Sequence, residues 1–270
     1  MARIKRLERI VALTKELNDH PFQLFPFSYF CEKFTVAKST LSEDVQTVRN
    51  GLAAYDLGII ETVAGASGGV RFIPYHSPEA DNEFLWTLAK KLNDPSRLLP
   101  GGMIYMNDIL FTPDISTRLG EIIMQRTLEL KPDYIMTVEA KGISLALSTA
   151  RAFNIPMVMA RKEARFTEGP AVSISYVSGS SKKIQNMSLP RKALPLKARV
   201  LVVDDFMRAG GTAKGMQELA EEVGAEVVGT YLFIASQEPE QKVVKDYAAL
   251  MTLKGVDDVT RAIDIVPELL

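Results

Sequence analysis

Cysteine is nearly absent from these 270 residues, and the single Cys31 excludes both an internal disulfide framework and a cysteine-rich zinc site. It reads as a small hydrophobe in a helix. Long apolar runs are missing too, so no segment is expected to cross a bilayer. The basic start Met1-Ala2-Arg3-Ile4-Lys5-Arg6 is followed by no apolar signal core, and the expected location is cytoplasmic. Neither charge sign dominates: the net charge is −1, so whole-chain charge does not by itself mark a nucleic-acid binder. There are no internal repeats and no low-complexity tract. What remains is a globular chain, 47% apolar, long enough for one large or two ordinary domains with a sizeable core. The eleven methionines read as core filling. His76 stands alone in a linker and is given no role.

The charge is unevenly spread. Arg161 to Arg199 holds nine Lys/Arg against two Asp/Glu, whereas Met216 to Leu270 holds four against eleven. Such a basic block concentrates a polyanion in a cleft.

The most informative stretch is Val200-Leu201-Val202-Val203-Asp204-Asp205-Phe206-Met207-Arg208-Ala209-Gly210-Gly211-Thr212. Four apolar residues predict a buried parallel strand. Two carboxylates follow, then a small-residue loop and a helix over Ala213 to Val223. Backbone amides of such a loop, with a helix N-terminus behind them, cradle a phosphate. Carboxylates beside a phosphate need a partner, either vicinal sugar hydroxyls or Mg²⁺ on a pyrophosphate. The bland readings are an acid pair favoured by a helix dipole and an ordinary βα turn. An acid pair at the mouth of a buried strand is costly without a ligand, which favours the functional reading.

A second strand, turn and helix unit spans Tyr134 to Ile143, with Ala140, Lys141 and Gly142 at its turn. Lys141 reads as an anion contact or a solvated loop cation. Arg161 and Lys162 read as further contacts or sheet-edge charges. Tyr105 could stack on a ligand, though a core or interface role is the simpler one. Strands are expected at Tyr134–Val138, Met157–Ala160, Val200–Asp204 and Val227–Ala235, with a fifth near Leu250–Leu253. Helices are expected at Asp81–Asn93, Asp114–Leu130 and Ile143–Phe153. This alternation predicts a parallel sheet with its ligand at the strands' C-terminal ends.

The N-terminal seventy-odd residues differ in character. Ile4, Leu7, Val11 and Leu17 predict a first helix over Ile4 to Asn18, and a short second helix lies near Ser28 to Lys33. A third opens at Ser39-Thr40, with Thr40 and Glu43 as a capping box and Leu41, Val45, Val48 and Leu52 facing inward. Strands Ile59–Val63 and Val70–Ile73 flank a glycine-rich tip, residues 64–69. Three helices and a glycine-tipped hairpin are the order of a winged helix. Lys38, Ser39, Thr40 and Ser42 would then face bases and phosphates, with Thr40 a cap first. Gly68, Gly69 and Arg71 would bring the wing to the backbone. Arg3, Lys5, Arg6 and Arg9 would form a patch for phosphate contact. Lys38 and Arg71 could equally be solvated charges. A linker around Pro74 to Pro78 separates two domains, 1–74 and 75–270.

The strand, acid pair, loop and helix from Val200 resemble the 5-phosphoribosyl-1-pyrophosphate (PRPP) motif of type I phosphoribosyltransferases. The Tyr134 to Ile143 unit resembles the pyrophosphate loop of the adenine and xanthine enzymes, and the stretch from Ser175 to Ser181 resembles their flexible loop. The pieces Leu99-Pro100-Gly101-Gly102, Thr167-Glu168-Gly169, Ser173 to Ser181 and Asp204-Asp205-Phe206-Met207 are similar to the PurR family of purine operon regulators of Gram-positive bacteria, over nearly the whole chain.

The resemblance implies an α/β architecture: an N-terminal winged helix-turn-helix domain and a C-terminal phosphoribosyltransferase-like domain with a central parallel sheet and a flexible hairpin arm. It implies that Asp204 and Asp205 meet the ribose hydroxyls, that residues 206–212 wrap the 5′-phosphate, and that amides of Ala140, Lys141 and Gly142 hold pyrophosphate, across a cis peptide. PRPP would be the effector, with Mg²⁺ carried by it near Asp204 and Asp205 rather than held by protein alone. Double-stranded operator DNA upstream of purine genes and a second copy in a homodimer would be the partners, with no membrane involved. Arg208 and Ala209 stand where the enzymes carry small or hydroxyl residues, which removes a phosphate ligand and adds a cation. That favours binding without catalysis over an active adenine- or xanthine-type phosphoribosyltransferase.

Overall fold

The computed structural model describes residues 4–65, 67–162, 169–177 and 184–269. Expectations for Arg3, Thr167, Glu168 and residues 178–181 lie outside the described residues. The chain divides into two compact units, Met1–Ser77 with Arg151–Asn154, and Pro78–Ala150 with Ile155–Leu270.

The first unit contains helices α1 (Arg6–Asp19), α2 (Phe27–Phe34) and α3 (Lys38–Ala54) and the antiparallel strands β1 (Ile59–Val63) and β2 (Gly69–Ile73). This is the order of a winged helix. Leu41, Val45 and Val48 of α3 pack with Leu13, Leu17, Phe30, Ile60 and Phe72, so the stripe on α3 faces inward as expected. On α1 the expected stripe is wrong. Leu7 and Val11 are 76% and 69% exposed. The inward face is Arg9, Leu13 and Leu17, one turn apart each. Arg9 takes an apolar residue's place because its guanidinium meets Asp44 of α3 inside the unit.

The expected Thr40–Glu43 capping box does not form. Ala37, in extended conformation, is the N-cap and the helix starts at Lys38, leaving Thr40 inside the first turn with no side-chain cap bond. The wing is braced by an antiparallel bridge between Phe25 and Val70. Gly69 is buried, and a Cβ there would strike the Phe25 carbonyl. This internal contact requires glycine at the position.

In the second unit, α4 (Pro78–Leu92) precedes the short pair β3 (Leu98–Leu99) and β4 (Met103–Ile104), then α5 (Asn107–Leu110) and α6 (Pro113–Thr127). Next come β5 (Tyr134–Val138), α7 (Ile143–Phe153), β6 (Met157–Ala160), the hairpin arm β7 (Ala171–Val177) and β8 (Ile184–Pro190), and β9 (Arg199–Met207). The chain closes with α8 (Gly211–Glu222), β10 (Glu226–Ser236), β11 (Ala248–Asp257) and β12 (Ala262–Pro267). The sheet order is β12-β11-β10-β9-β5-β6. Five strands are parallel and β12 pairs antiparallel to β11 at the edge, a strand not anticipated from sequence. The nearly continuous apolar runs of β5 and β9 are buried on both faces. Gly120 lets α6 approach α7, since a Cβ would lie 2.5 Å from the Ser148 carbonyl carbon. No described helix is long and apolar enough to cross a membrane.

Candidate functional site: an anion cradle at the sheet's C-terminal edge

Parallel strands end on one edge of the sheet, and the four strands β5, β9, β10 and β11 deliver their following residues there. A cavity of about 800 Å³ opens at that edge. It is lined by 138–141, 204–206, Arg208, Thr212, Ser236, Glu238 and residues 253–256, which is where an open α/β sheet places its ligand.

β9 runs further than expected, through the acid pair to Met207. Asp204 is 5% exposed and Asp205 is half-buried beside it. Burial, reinforced by the charge of Asp205, pushes the Asp204 carboxyl well above the usual carboxylate range. Burial also raises Asp205, with Lys141 opposing the rise. The Asp205 amide donates to Asp204 Oδ1 at 2.9 Å. A carboxylate pair this poorly solvated is set to accept hydroxyl or cation partners.

Residues 206–213 with Asp204 and Leu232 enclose a side pocket of about 80 Å³. Gly210 takes φ +91°, a left-handed conformation that favours glycine, and caps α8. The first helical bond closes from the Lys214 amide to the Gly210 carbonyl at 2.8 Å. The amides of Gly211, Thr212 and Ala213 therefore have no acceptor within the helix, an arrangement that suits an anion. The Val243 amide holds the Ala209 carbonyl at 3.0 Å from behind. Arg208 is exposed at the rim of both the cavity and the side pocket.

Across the cavity, Ala140 and Lys141 line the wall, and the Glu139–Ala140 peptide is cis. Gly142 lies behind them against Asp204 and Thr137. Lys162 reaches the cavity. Arg161 does not line it: its guanidinium turns to Glu139 at 3.7 Å, and its backbone bridges to Ser188 of the arm. Tyr105 is 45% exposed and lies outside the lining, while its neighbours Ile104 and Met106 line it.

Several contributors went unread in the sequence, among them Glu139, Tyr176 and Gln185. Glu139 lines the cavity and accepts the Lys162 amide at 2.7 Å, and its place just before Ala140 was the available signal. Tyr176 and Gln185 reach the cavity as cross-strand partners, which only the hairpin register reveals. Among the described residues no group of three or more His, Cys, Asp or Glu could hold a metal.

On the N-terminal unit, Lys38, Ser39 and Ser42 are exposed and Thr40 half-exposed at the start of α3. Lys38 Nζ lies 5.7 Å over the Phe27 ring. Arg71 is paired with Glu61 on the wing and sits over Phe22. Two members of the expected basic patch, Arg6 and Arg9, meet Asp44 within the unit. Arg9 Nε meets Asp44 Oδ2 at 2.8 Å, and Arg6 reaches Asp44 Oδ1 and Thr47 Oγ1, each at 3.2 Å. The Lys5 amide donates to Glu8 at 2.9 Å.

The family model "Bacterial purine repressor, N-terminal" matches residues 5–74, and the "Phosphoribosyl transferase domain" model matches residues 107–265. The purine biosynthesis transcriptional repressor PurR of Bacillus subtilis is 39% identical over 97% of this chain and 92% of its own length. The purine biosynthesis transcriptional activator PurR of Lactococcus lactis is 36% identical over 97% of both chains. The second unit's fold is similar to that of adenine phosphoribosyltransferase from Thermoanaerobacter pseudethanolicus, with a TM-score of 0.53 at 18% identity over 62% of this chain and 98% of that one. With near-complete coverage of such relatives and both models matched in order, the chain belongs to the PurR family of purine biosynthesis transcriptional regulators.

Proposed function

We propose that this chain regulates transcription of purine biosynthesis genes and does so in response to PRPP. Residues 1–74 bind double-stranded operator DNA upstream of those genes, and residues 75–270 bind PRPP without turning it over. The observation that carries this reading is the buried acid pair beside an amide-lined helix start in one cavity. The 5′-phosphate sits on the amides of Gly211, Thr212 and Ala213, the ribose hydroxyls on Asp204 and Asp205, and the pyrophosphate against Ala140, Lys141 and Lys162. Mg²⁺ comes with the pyrophosphate, since it is usually bound through one or two carboxylates together with substrate phosphates. Ala209 supplies no hydroxyl to the phosphate and Arg208 adds a bulky cation, which supports a sensor over an enzyme. A homodimer supplies two winged helices, since one buries too little surface for tight specific binding.

A mobility shift on a purine promoter fragment, with and without saturating PRPP and Mg²⁺, tests the reading. A PRPP-dependent change in midpoint is expected. Identical midpoints would refute the linkage. Incubation with PRPP, Mg²⁺ and each purine base should give no pyrophosphate release at ordinary turnover.

A further inference from the structure

The hairpin arm does not merely hang over the cavity. It is packed onto the helix that ends the phosphate cradle. At Gly215 of α8 an added Cβ would lie 3.0 Å from Met187 Cε and 3.2 Å from Tyr176 Cγ, so arm and helix pack closely there. Tyr176 is 7% exposed. Its hydroxyl donates to Oε1 of Gln185, its cross-strand partner, at 2.8 Å. Tyr176, Gln185, Thr212 and Asp204 all line the same cavity. Burial raises the Tyr176 phenol, and the Thr212 hydroxyl beside it opposes the rise.

We propose that Tyr176 is a positioning residue that transmits occupancy of the phosphate cradle to the arm, through the chain Thr212–Tyr176–Gln185. The inference rests on the PRPP reading above. The phenol has one proton, given to Gln185 Oε1, and Thr212, one turn before Gly215 on the same face of α8, offers a second acceptor on the side where the ring packs. With the cradle empty, the Thr212 hydroxyl can donate toward the phenol oxygen and the phenol donates to Gln185. A phosphate on the α8 amides is the stronger acceptor and draws the Thr212 proton to itself. The Thr212 oxygen then offers its lone pair to Tyr176. The phenol proton turns from the arm's Gln185 to the cradle's Thr212, and the hold between the arm's two strands at that register is exchanged for a hold between arm and cradle. No bond other than these hydrogen bonds forms or breaks. Tyr176 thus reports the sugar-phosphate end of the ligand, while Lys162 at the foot of the arm faces the pyrophosphate end.

The test uses the full-length protein with PRPP and Mg²⁺. Titration calorimetry measures binding, and hydrogen exchange follows the amides of 171–177 and 184–190. In the wild type, PRPP should change protection in both strands. Tyr176→Phe keeps the ring against Gly215 and gives up one hydrogen bond, so its unfolding midpoint should fall only slightly. It should still bind PRPP, with an affinity within about tenfold of the wild type, because the phenol makes a hydrogen bond in both states. Its arm should no longer respond. Thr212→Val, approached from the cradle end, should silence the arm likewise, and the double variant should lose no more arm response than either single one. An arm that still responds in Tyr176→Phe, or that fails to respond in the wild type while heat is evolved, overturns the relay alone. Absence of heat from the wild type overturns the PRPP reading and the relay with it.

Discussion

Gly142 and Asp204 are packed so closely that a Cβ on residue 142 would lie 2.6 Å from Asp204 Oδ1 and 2.7 Å from the buried Thr137 Oγ1. The two loops of the cavity therefore rest on one another. The turn proposed to hold pyrophosphate forms the back wall of the acid pair proposed to hold ribose. Thr137 Oγ1 has no hydrogen-bond partner there, so neither of Gly142's two polar neighbours can be displaced without uncovering a buried polar atom.

Gly142→Ala should damage both halves of the site together. Neither neighbour is the far end of a flexible side chain, and overpacking of this kind costs about 1–3 kcal/mol. The unfolding midpoint should drop, and PRPP affinity should fall more than tenfold as both loops shift. Calorimetric titration beside a thermal melt checks this. Wild-type affinity in the variant would mean the loops are independent.

The acid pair makes ligand-free stability depend on pH with an unusual sign. Both carboxyls titrate above their ordinary values, chiefly from burial. The folded protein holds protons that the unfolded chain has released, so this contribution is fully present below the ordinary carboxylate pKa and lost as pH rises through the raised folded values. Asp204→Asn removes the buried charge and should stabilise the ligand-free protein at neutral pH, by about 1.4 kcal/mol for each unit of the pKa rise it eliminates. The gain should shrink as pH falls into the carboxylate range. PRPP–Mg²⁺ selects the ionised pair, so its binding should release protons, seen as a dependence of the binding heat on buffer ionisation. Thermal melts of both proteins from pH 4 to 8 decide the sign.

Much of this site was legible because it is local. Strand, acid pair, turn and helix follow one another from Val200 to Glu222, so the sequence order is also the spatial order. What was not legible depends on distant partners. Arg9 reads as a surface cation until α3 brings Asp44 against it. Leu7 and Val11 have helical spacing with Leu17 but occupy the other side of α1. Arg161 looks like an anion ligand beside Lys162, yet Glu139 from the neighbouring strand end claims it. Tyr176 became visible only through its register with Gln185. The strand β12 alternates regularly, with Ile263, Ile265 and Pro267 inward, but it is only six residues long and pairs antiparallel to β11, which the alternation of strands and helices upstream gave no reason to expect.

The Arg9–Asp44 pair holds the N-terminal unit from inside. Their side chains are 7% and 1% exposed. Asp44→Ala leaves the Arg9 charge buried without its partner, and such a loss costs about 3–5 kcal/mol. Arg6, on the same carboxylate but 58% exposed, should cost about 1 kcal/mol or less when replaced by alanine. Urea unfolding followed by circular dichroism separates the two. Similar losses from both variants would contradict the burial argument.

DNA binding should be lost unevenly among the cations of that unit, according to what each already holds. Arg49 looks as basic as any, but it donates to Gln46, to the Ile60 carbonyl and to Thr62, bracing α3 against the wing. Arg49→Ala should therefore lower stability and leave the salt dependence of DNA affinity unchanged once protein is compared at equal folded fraction. Lys38 is exposed at the start of α3, over the Phe27 ring, so its charge is available to phosphate. Lys38→Ala should weaken binding to operator and unrelated DNA alike and reduce the slope of log affinity against log salt by about 1. Arg71, already paired with Glu61, should fall between them, since phosphate must compete with a carboxylate for its guanidinium. Salt titrations of fluorescence anisotropy on operator and random duplexes rank the three. A slope change for Arg49→Ala but none for Lys38→Ala would place the DNA face on the wing side of α3 rather than at its start.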